Sequence, residues 1–205
     1  LGESVGNCRY SDITVFSFHP VKIITTAEGG MALTNDNQLA DKMNLCRSHG
    51  ITRDEHLMTH ESDGPWYYQQ IDIGFNYRMT PTTAAIGLGQ LSNLENLLKG
   101  RLVVAQEFLR ITESVPWLIP QPKEIDGVEH SYYTFAVRLD LEANQKVTWQ
   151  AFYDEFARNG GDGFYANCKN PYLEPYFLGK TLRHQEFKPG LCPVAEKLQR
   201  EIIKI

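Results

Sequence analysis

One lysine, Lys22, stands among apolar residues directly after a segment that is predicted to be a β-strand. It follows FSFHPV and precedes IITTAEGG in the run from Phe16 to Gly30. A lysine amine is a nucleophile only when it is neutral, and desolvation by apolar neighbours favours the neutral form, which is how Schiff-base lysines are prepared. Lys22 is therefore a candidate carbonyl-trapping amine. The alternative is a lysine that extends its ammonium group to solvent at the end of a strand.

Groups that could bind a phosphate lie on both sides of this lysine. Ser17, Thr25 and Thr26 carry hydroxyls, and the Gly29-Gly30 pair permits close approach of the backbone to a ligand. The sequence therefore places an amine and several possible phosphate-binding groups within one short segment.

No metal site is expected. His56 and His60 have H-x-x-x-H spacing in EHLMTHE, but the first histidine is not followed by the glutamate of H-E-x-x-H, and the segment runs into Asp63-Gly64-Pro65. A polar loop is the favoured interpretation. The four cysteines are far apart without a C-x-x-C pair, which favours reduced thiols in the cytosol over a disulfide framework or a zinc ribbon; they are Cys8, Cys46, Cys168 and Cys192.

The elements around Lys22 follow from the residue pattern. Residues 13–18 are rich in β-branched and aromatic side chains, and residues 31–34 form a second short apolar run, so the pattern predicts strand, loop, strand. Asn35 and Asp36 are suited to cap a helix that continues to about Ser48. Beyond it, residues 51–72 carry Trp66, Tyr67 and Tyr68, which either form a binding loop or cover the core.

A long helical segment is predicted next. Thr80 and Pro81 form an N-cap and first-turn pair, after which leucines recur at spacings of three and four. Gly100 interrupts the pattern, which then resumes until Pro116, so we expect one long helical segment, with room for a bend at the glycine, that leaves the first unit. We place the domain boundary near Leu97.

The second half reads as a small α+β unit. Residues 133–141 alternate between apolar and polar as a half-exposed strand does, and Thr148 caps a helix that ends at Gly160-Gly161. The short run GFYA follows, and residues 192–205 have the periodicity of a terminal helix.

Composition excludes several classes of protein. The 205 residues carry a net charge of -5, which disfavours a nucleic-acid partner, and no apolar run is long enough to span a membrane. The first residues lack the features of a signal peptide. Because the chain begins without methionine and its terminal helical pattern stops without a cap, we expect both ends to be truncated.

Two separate motifs, in order, resemble a known family. FSFHPVKIITTAEGGMALTND, and then GFNYRMT followed by AAIGLGQL, are similar to the pyridoxal-phosphate-dependent sugar aminotransferases of the DegT/DnrJ/EryC1/StrS family. The resemblance extends over essentially the whole chain and is strongest from Asp12 to Leu91. It implies an α/β fold of the fold-type I class of pyridoxal-phosphate-dependent transferases, like aspartate aminotransferase. Residues 1–97 would end the large cofactor-binding domain, and residues 98–205 would form most of the small one.

The resemblance also implies roles for individual residues. Lys22 would be the Schiff-base lysine, and Ser17 would hydrogen-bond the phosphate of pyridoxal phosphate. Asn76 would reach the cofactor phosphate in the partner subunit of a homodimer, although an asparagine at this position could instead cap a turn before the Thr80 helix. Tyr77 and Arg78 would line the sugar-nucleotide site, with a surface or helix-terminus charge as the alternative for Arg78.

The sequence resembles two groups of family members that act on different sugars. The run from RSHGITRD to GFNYRMT resembles family members that aminate C4 of UDP-linked 4-keto-6-deoxy-N-acetylhexosamines, whereas SYYTFAV and NGGDGFYA resemble perosamine-synthase-like members. Tyr165 is a further substrate-site candidate, but the family's HY-x-P-x-H pattern is replaced here by GFYANCKNPYLEP. The amino donor would be an amino acid, by family habit L-glutamate.

Part of the family's site has no counterpart in this sequence. An aspartate that pairs with the pyridine nitrogen, a phosphate turn and a stacking aromatic normally precede the lysine, and the 21 residues before Lys22 do not contain them. The chain is therefore expected to be a fragment of a cytoplasmic enzyme. Two rivals remain: a related sugar dehydratase, in which histidine replaces the lysine, and a non-catalytic dimerisation or regulatory module.

Overall fold

The computed structural model describes residues 3–123, 127–144, 147–162 and 165–205. The chain divides into two compact units, Leu1–Leu97 and Leu98–Ile205. Helices and strands are mixed in both. Within the described residues, no helix is both long enough and apolar enough to cross a membrane.

The first unit begins with an antiparallel pair of strands. β1 (Thr14–Ser17) and β2 (Gly30–Leu33) pair along their whole length, with Ser17 opposite Gly30. The connection between them, residues 18–29, contains Lys22. The predicted order of strand, loop and strand is confirmed.

Helix α1 (Asn37–Arg47) has the cap that the sequence predicts. The Asp36 side chain accepts hydrogen bonds from the backbone N–H groups of Gln38 and Leu39. The chain leaves the helix through His49 and Gly50, whose φ angles of 63° and 70° are left-handed. It continues into a short antiparallel pair, β3 (Ile51–Thr52) and β4 (Gln69–Gln70).

The segment that was expected to form one long helix is divided into two helices. Helix α2 (Pro81–Ser92) is capped by the Thr80 side chain, as expected, and helix α3 spans Leu94–Glu113. The break lies at Asn93, whose backbone N–H bonds to carbonyls three and two residues back. Gly100 lies inside α3, where a helix tolerates a glycine at a cost of about 1 kcal/mol, so the helix continues through Gly100 as expected.

The second unit is built on a four-stranded antiparallel sheet. Its strands are β5 (Leu118–Pro120), β6 (Ala136–Leu139), β7 (Tyr165–Ala166) and β10 (Ile202–Lys204), in the order β5-β6-β10-β7. Thr148 caps helix α4 (Trp149–Arg158) as predicted, through a hydrogen bond from the backbone N–H of Ala151. A short 3-10 helix covers Pro171–Leu173. The remaining elements are β8 (Thr181–Leu182), β9 (Gln185–Glu186) and α5 (Pro193–Gln199).

The predicted terminal helix over residues 192–205 is wrong beyond Gln199. After α5 the chain turns into β10, which pairs with β6 on one side and β7 on the other. Ile203 is fully buried there, although the apolar face of the helical pattern consists of Val194, Leu198, Ile202 and Ile205. Val194, on that face, is 71% exposed. Isoleucine is β-branched and packs well on a pleated sheet. Here the pairing with two neighbouring strands outweighs the helical spacing of the apolar residues.

The hydrophobic core lies in the second unit. Its centre is formed by Leu139 and Ile203, both fully buried. Aromatic and aliphatic side chains from α3 and the sheet complete the cluster; the buried ones are Ala105, Leu109, Tyr132, Phe135 and Val137.

Candidate functional site

Lys22 lies in a loop that is ordered by its own backbone. The N–H of Phe18 donates to the carbonyl of Gly29 at 2.9 Å, and the N–H of Thr26 donates to the carbonyl of Phe18 at 3.0 Å. A tight turn within the loop is closed by the bond from the N–H of Lys22 to the carbonyl of His19, also 2.9 Å. The side chain of Lys22 is half-buried. The amine is therefore carried by a defined backbone conformation.

The hydroxyls near Lys22 have two different roles. Thr25 Oγ1 donates to the Phe18 carbonyl at 3.0 Å, and Thr26 Oγ1 donates to the Glu28 carbonyl at 2.8 Å. Thr26 is also only 2% exposed. These two groups hold the loop together, which corrects the expectation that they could bind a phosphate.

Ser17, by contrast, is open to a ligand. It is the last residue of β1 and is exposed. Its Oγ accepts one long hydrogen bond of 3.4 Å from the backbone N–H of His19. Of the three hydroxyls considered from the sequence, Ser17 is the one that remains suited to a phosphate.

The predicted site residue Asn76 lies on the connection between β4 and α2. Its backbone forms an isolated antiparallel bridge with Ser48 at the end of α1, and its side chain is exposed. The cap of α2 is Thr80, four residues later. Hydrogen bonds fix the backbone on both sides of Asn76: Phe75 N to Cys46 O (2.7 Å), His49 N to Phe75 O (2.9 Å) and Tyr77 N to Arg47 O (3.0 Å).

Tyr77 and Arg78 are presented on the surface of the first unit. The ring of Tyr77 stacks on Phe75 with centroids 4.9 Å apart, yet Tyr77 remains 70% exposed. Arg78 is exposed as well. In the segment of residues 51–72, Trp66 and Tyr68 are 71% and 50% exposed, so these two aromatic side chains do not cover a core in this unit.

The structure brings the two sequence motifs into contact through residues that the sequence analysis did not assign to packing. A Cβ atom built on Gly29 would lie 3.0 Å from Cε of Met79, and one built on Gly87 would lie 2.9 Å from Cγ2 of Thr26. The loop of Lys22 therefore packs against Met79 and against the middle of α2. The sequence feature that could have indicated this contact is Gly87, because glycine is a poor helix former and stands here within a predicted helix.

Tyr165 belongs to the second unit. Its backbone is in β7, where it pairs with Lys204. The side chain of Tyr165 lies outside the described part of the structure, so its place at a substrate site stays a prediction. The other predicted site residues all belong to the first unit.

A strong electrostatic coupling in the second unit was not expected from the sequence. The hydroxyl of Tyr172 donates to Glu196 Oε1 at 2.5 Å, and Glu196 also accepts from the N–H of Gly190 at 2.8 Å. Burial and the neighbouring carboxylate raise the pKa of Tyr172 to about 12. The hydrogen bond from Tyr172 lowers the pKa of Glu196. This pair ties the 3-10 helix to α5.

The histidines and cysteines form no cluster in the described ranges. No group of three His, Cys, Asp or Glu side chains there could hold a metal ion. His56 and His60 lie in an exposed polar loop, where His60 Nδ1 is 3.1 Å from Thr59 Oγ1. The four cysteines are free.

The fold is that of α/β aminotransferases. The aminotransferase of Psychrobacter cryohalolentis superposes with a TM-score of 0.82 at 26% identity, over 100% of this chain and 52% of that one. A sugar aminotransferase of Streptococcus pneumoniae, described as putative and solved in its pyridoxal-phosphate form, gives 0.74 at 23% identity, over 100% and 48%.

The chain belongs to the DegT/DnrJ/EryC1/StrS aminotransferase family, which matches it over residues 1–205. An uncharacterized protein of Methanocaldococcus jannaschii is 33% identical over 98% of this chain and 50% of its own length. The UDP-4-amino-4,6-dideoxy-N-acetyl-β-L-altrosamine transaminase of Campylobacter jejuni is 36% identical over 56% and 28%. The GDP-perosamine synthase of Vibrio cholerae is 30% identical over 69% and 34%. The chain thus spans half or less of the length of these curated relatives.

Proposed function

We propose that the chain is the lysine-bearing part of a pyridoxal-phosphate-dependent enzyme that transfers an amino group from an amino acid to a nucleotide-linked 4-keto-6-deoxy sugar. The observation that carries the proposal is the ordered loop of Lys22, with its half-buried amine five residues after the exposed hydroxyl of Ser17, in a chain of this family. The reaction would serve the synthesis of amino sugars for a surface polysaccharide or glycan.

The residues present suit the two reactive ends of the cofactor. An amine is the group that binds an aldehyde covalently, and Lys22 supplies it from an ordered backbone. Ser17 supplies an accessible hydroxyl for the phosphate, and the exposed amide of Asn76 is available to the phosphate of a second subunit. When bound, pyridoxal phosphate would supply the electron sink that this chemistry needs.

The overall exchange balances without an oxidant. The donor amino acid gives up its amino group and one α hydrogen and becomes an α-keto acid. The carbonyl oxygen of this acid comes from water, and the keto sugar loses its own carbonyl oxygen as water when it becomes an amino sugar, so no net water is consumed. Lys22 Nζ would take the proton from the α carbon of the donor and later deliver a proton to the sugar carbon that was the ketone, so one residue acts as both base and acid.

Substrate recognition is assigned to exposed side chains. Tyr77 offers an aromatic face and Arg78 a cation, which are suited to a sugar and to a diphosphate. We add Tyr165 from the second unit. The relatives support a nucleotide sugar as the substrate class: one acts on a UDP-linked and one on a GDP-linked sugar by their names.

The test uses the full-length protein, incubated with pyridoxal phosphate and then reduced with borohydride so that any cofactor bound through an amine is fixed. Peptide mass spectrometry should find the cofactor on Lys22. Lys22→Ala should lose it and lower the turnover number by about 10²–10⁴-fold or more. Lys42→Ala, at an exposed lysine in α1, is the matched control and should behave like the wild type.

The full-length protein loaded with pyridoxal phosphate but not treated with borohydride separates the alternatives. Incubation with L-glutamate should convert the cofactor to its amine form in the wild type, and each keto sugar should then restore the original absorption if it is a substrate. A dehydratase would return a sugar without new nitrogen. A protein that binds no cofactor would overturn the proposal and leave the non-catalytic module as the explanation. The homodimer and the cytoplasmic location stay predictions.

A further inference from the structure

One buried threonine fastens the loop of Lys22 to the rest of the first unit. Thr26 is 2% exposed, although its neighbours Ala27 and Glu28 lie on the surface. Its N–H donates to the carbonyl of Phe18 at 3.0 Å, and its Oγ1 donates to the carbonyl of Glu28 at 2.8 Å. Both hydrogen-bond donors of the residue are thus used within the loop, which fixes the direction of the remaining branch, Cγ2.

Cγ2 of Thr26 points at a glycine of α2. A Cβ atom on Gly87 would come within 2.9 Å of it, closer than side-chain carbons approach in proteins. On the loop side, a Cβ on Gly29 would lie 2.4 Å from Thr26 Oγ1. Thr26 therefore fits into a gap that exists because two residues lack side chains, and a threonine is stiff about χ1.

This contact lies between the two parts of the proposed site. Thr26 is four residues after Lys22, and Gly29 reaches Met79, which is three residues after Asn76. The segment of Asn76 is itself held by backbone bonds to the end of α1. Thr26 is thus the buried contact through which the loop of Lys22 is seated on the element that follows Asn76.

We infer that Thr26 is a positioning residue for the reaction: its Cγ2 contact with Gly87 sets where the amine of Lys22 stands relative to the segment of Asn76. The inference rests on the proposed function for its consequence in catalysis. Its physical basis is that misplacing a reactive group by about 1 Å can cost about 10²-fold in rate.

The test is a pair of glycine substitutions in one helix. Gly87→Ala adds a methyl group where Thr26 Cγ2 stands, whereas Gly89→Ala adds the same group to open space, with no atom within 4 Å. In the full-length protein, Gly87→Ala should slow the covalent attachment of pyridoxal phosphate to Lys22 by about tenfold or more and shift its pH profile. Gly89→Ala should leave the rate and the profile unchanged.

A compensating variant distinguishes positioning from general damage. Thr26→Ser keeps the hydroxyl that bonds Glu28 but removes Cγ2, so it makes room for the new methyl group. The double variant Thr26→Ser with Gly87→Ala should therefore attach the cofactor faster than Gly87→Ala alone. Equal rates and equal pH profiles for Gly87→Ala and Gly89→Ala would overturn the inference, as would a double variant slower than Gly87→Ala.

A readout without cofactor keeps this inference separate from the proposed function. Trypsin cleaves after lysine, so the fraction cut between Lys22 and Ile23 reports how firmly the loop is seated. Gly87→Ala should increase that cleavage relative to Gly89→Ala, and the double variant should reduce it again. If the wild type binds no cofactor, the proposed function is wrong. If both glycine variants are cleaved equally, the inference that Thr26 positions the loop is wrong.

Discussion

Gly50→Ala should be strongly destabilising, because the backbone that follows β4 passes over this glycine. Gly50 has a φ of 70°, and a Cβ built on it would lie 1.9 Å from the carbonyl oxygen of Asp72. Its own carbonyl accepts from the N–H groups of Ile71 at 2.9 Å and Asp72 at 3.3 Å. The atom in the way belongs to the main chain, so the clash cannot be relieved by a change of rotamer.

The magnitude follows from two contributions. A left-handed conformation costs a residue with a Cβ about 1–2 kcal/mol. Moving residues 71–72 away also stretches two backbone hydrogen bonds, each with a net worth of about 0.5–1.5 kcal/mol. We therefore expect Gly50→Ala to lower the free energy of unfolding of the first unit by about 2–5 kcal/mol.

Gly89→Ala is the matched control, because it makes the same chemical change at an exposed position of α2 with open space around it. It should raise the free energy of unfolding by up to about 1 kcal/mol. Urea denaturation with hydrogen exchange resolved to residues 45–77 measures both. A Gly50→Ala variant with the urea midpoint of the wild type or higher would refute the reasoning.

Three further outcomes are expected. Ile203→Ala should lower the free energy of unfolding of the second unit by about 2–5 kcal/mol, because Ile203 is fully buried in the central part of the sheet; urea denaturation measures it. Ala27→Gly should raise stability by up to about 1 kcal/mol in the same assay, since Ala27 has a φ of 67°. The pKa of Tyr172 is raised from 10.0 to about 12, so stability from its bond to Glu196 should be lost as pH rises through that window. The pKa of Glu196 is lowered from 4.5, so stability should also fall below that pH, and a melting-temperature series of Tyr172→Phe should show a smaller alkaline loss.

Local chemistry made part of this fold predictable. The caps Asp36, Thr80 and Thr148 were identified because a capping side chain bonds to backbone groups two or three residues away. The lysine loop was found in the same way, from apolar residues and hydroxyls next to Lys22. Assigning the roles of Ser17 and Asn76 required a resemblance to a family, because nothing in the local pattern specifies a cofactor.

The parts that were missed depend on partners distant in sequence. β10 has helical periodicity, and its pairing residues in β6 lie more than sixty positions earlier, as in the pair of Ile202 with Arg138. The contact of Thr26 with Gly87 is likewise invisible along the chain. A pattern of residues reports only the local preference of a segment for helix or strand. When these two conformations are close in free energy, pairing with distant segments selects one of them.

The two units are stabilised by different kinds of contact. This difference predicts where substitutions should affect chemistry rather than stability alone. In the second unit the described core is aromatic and aliphatic, centred on Leu139 and Ile203. In the first, close backbone approach at Gly50 and Gly87 fixes the segments that carry Asn76 and Lys22. A methyl group added at such a glycine displaces a functional segment as a whole, whereas one removed from the core leaves a cavity far along the chain from Lys22. Gly87→Ala should therefore change cofactor attachment before it unfolds the protein, whereas Gly50→Ala should lower stability as well, and substitutions in the second unit's core should lower stability first.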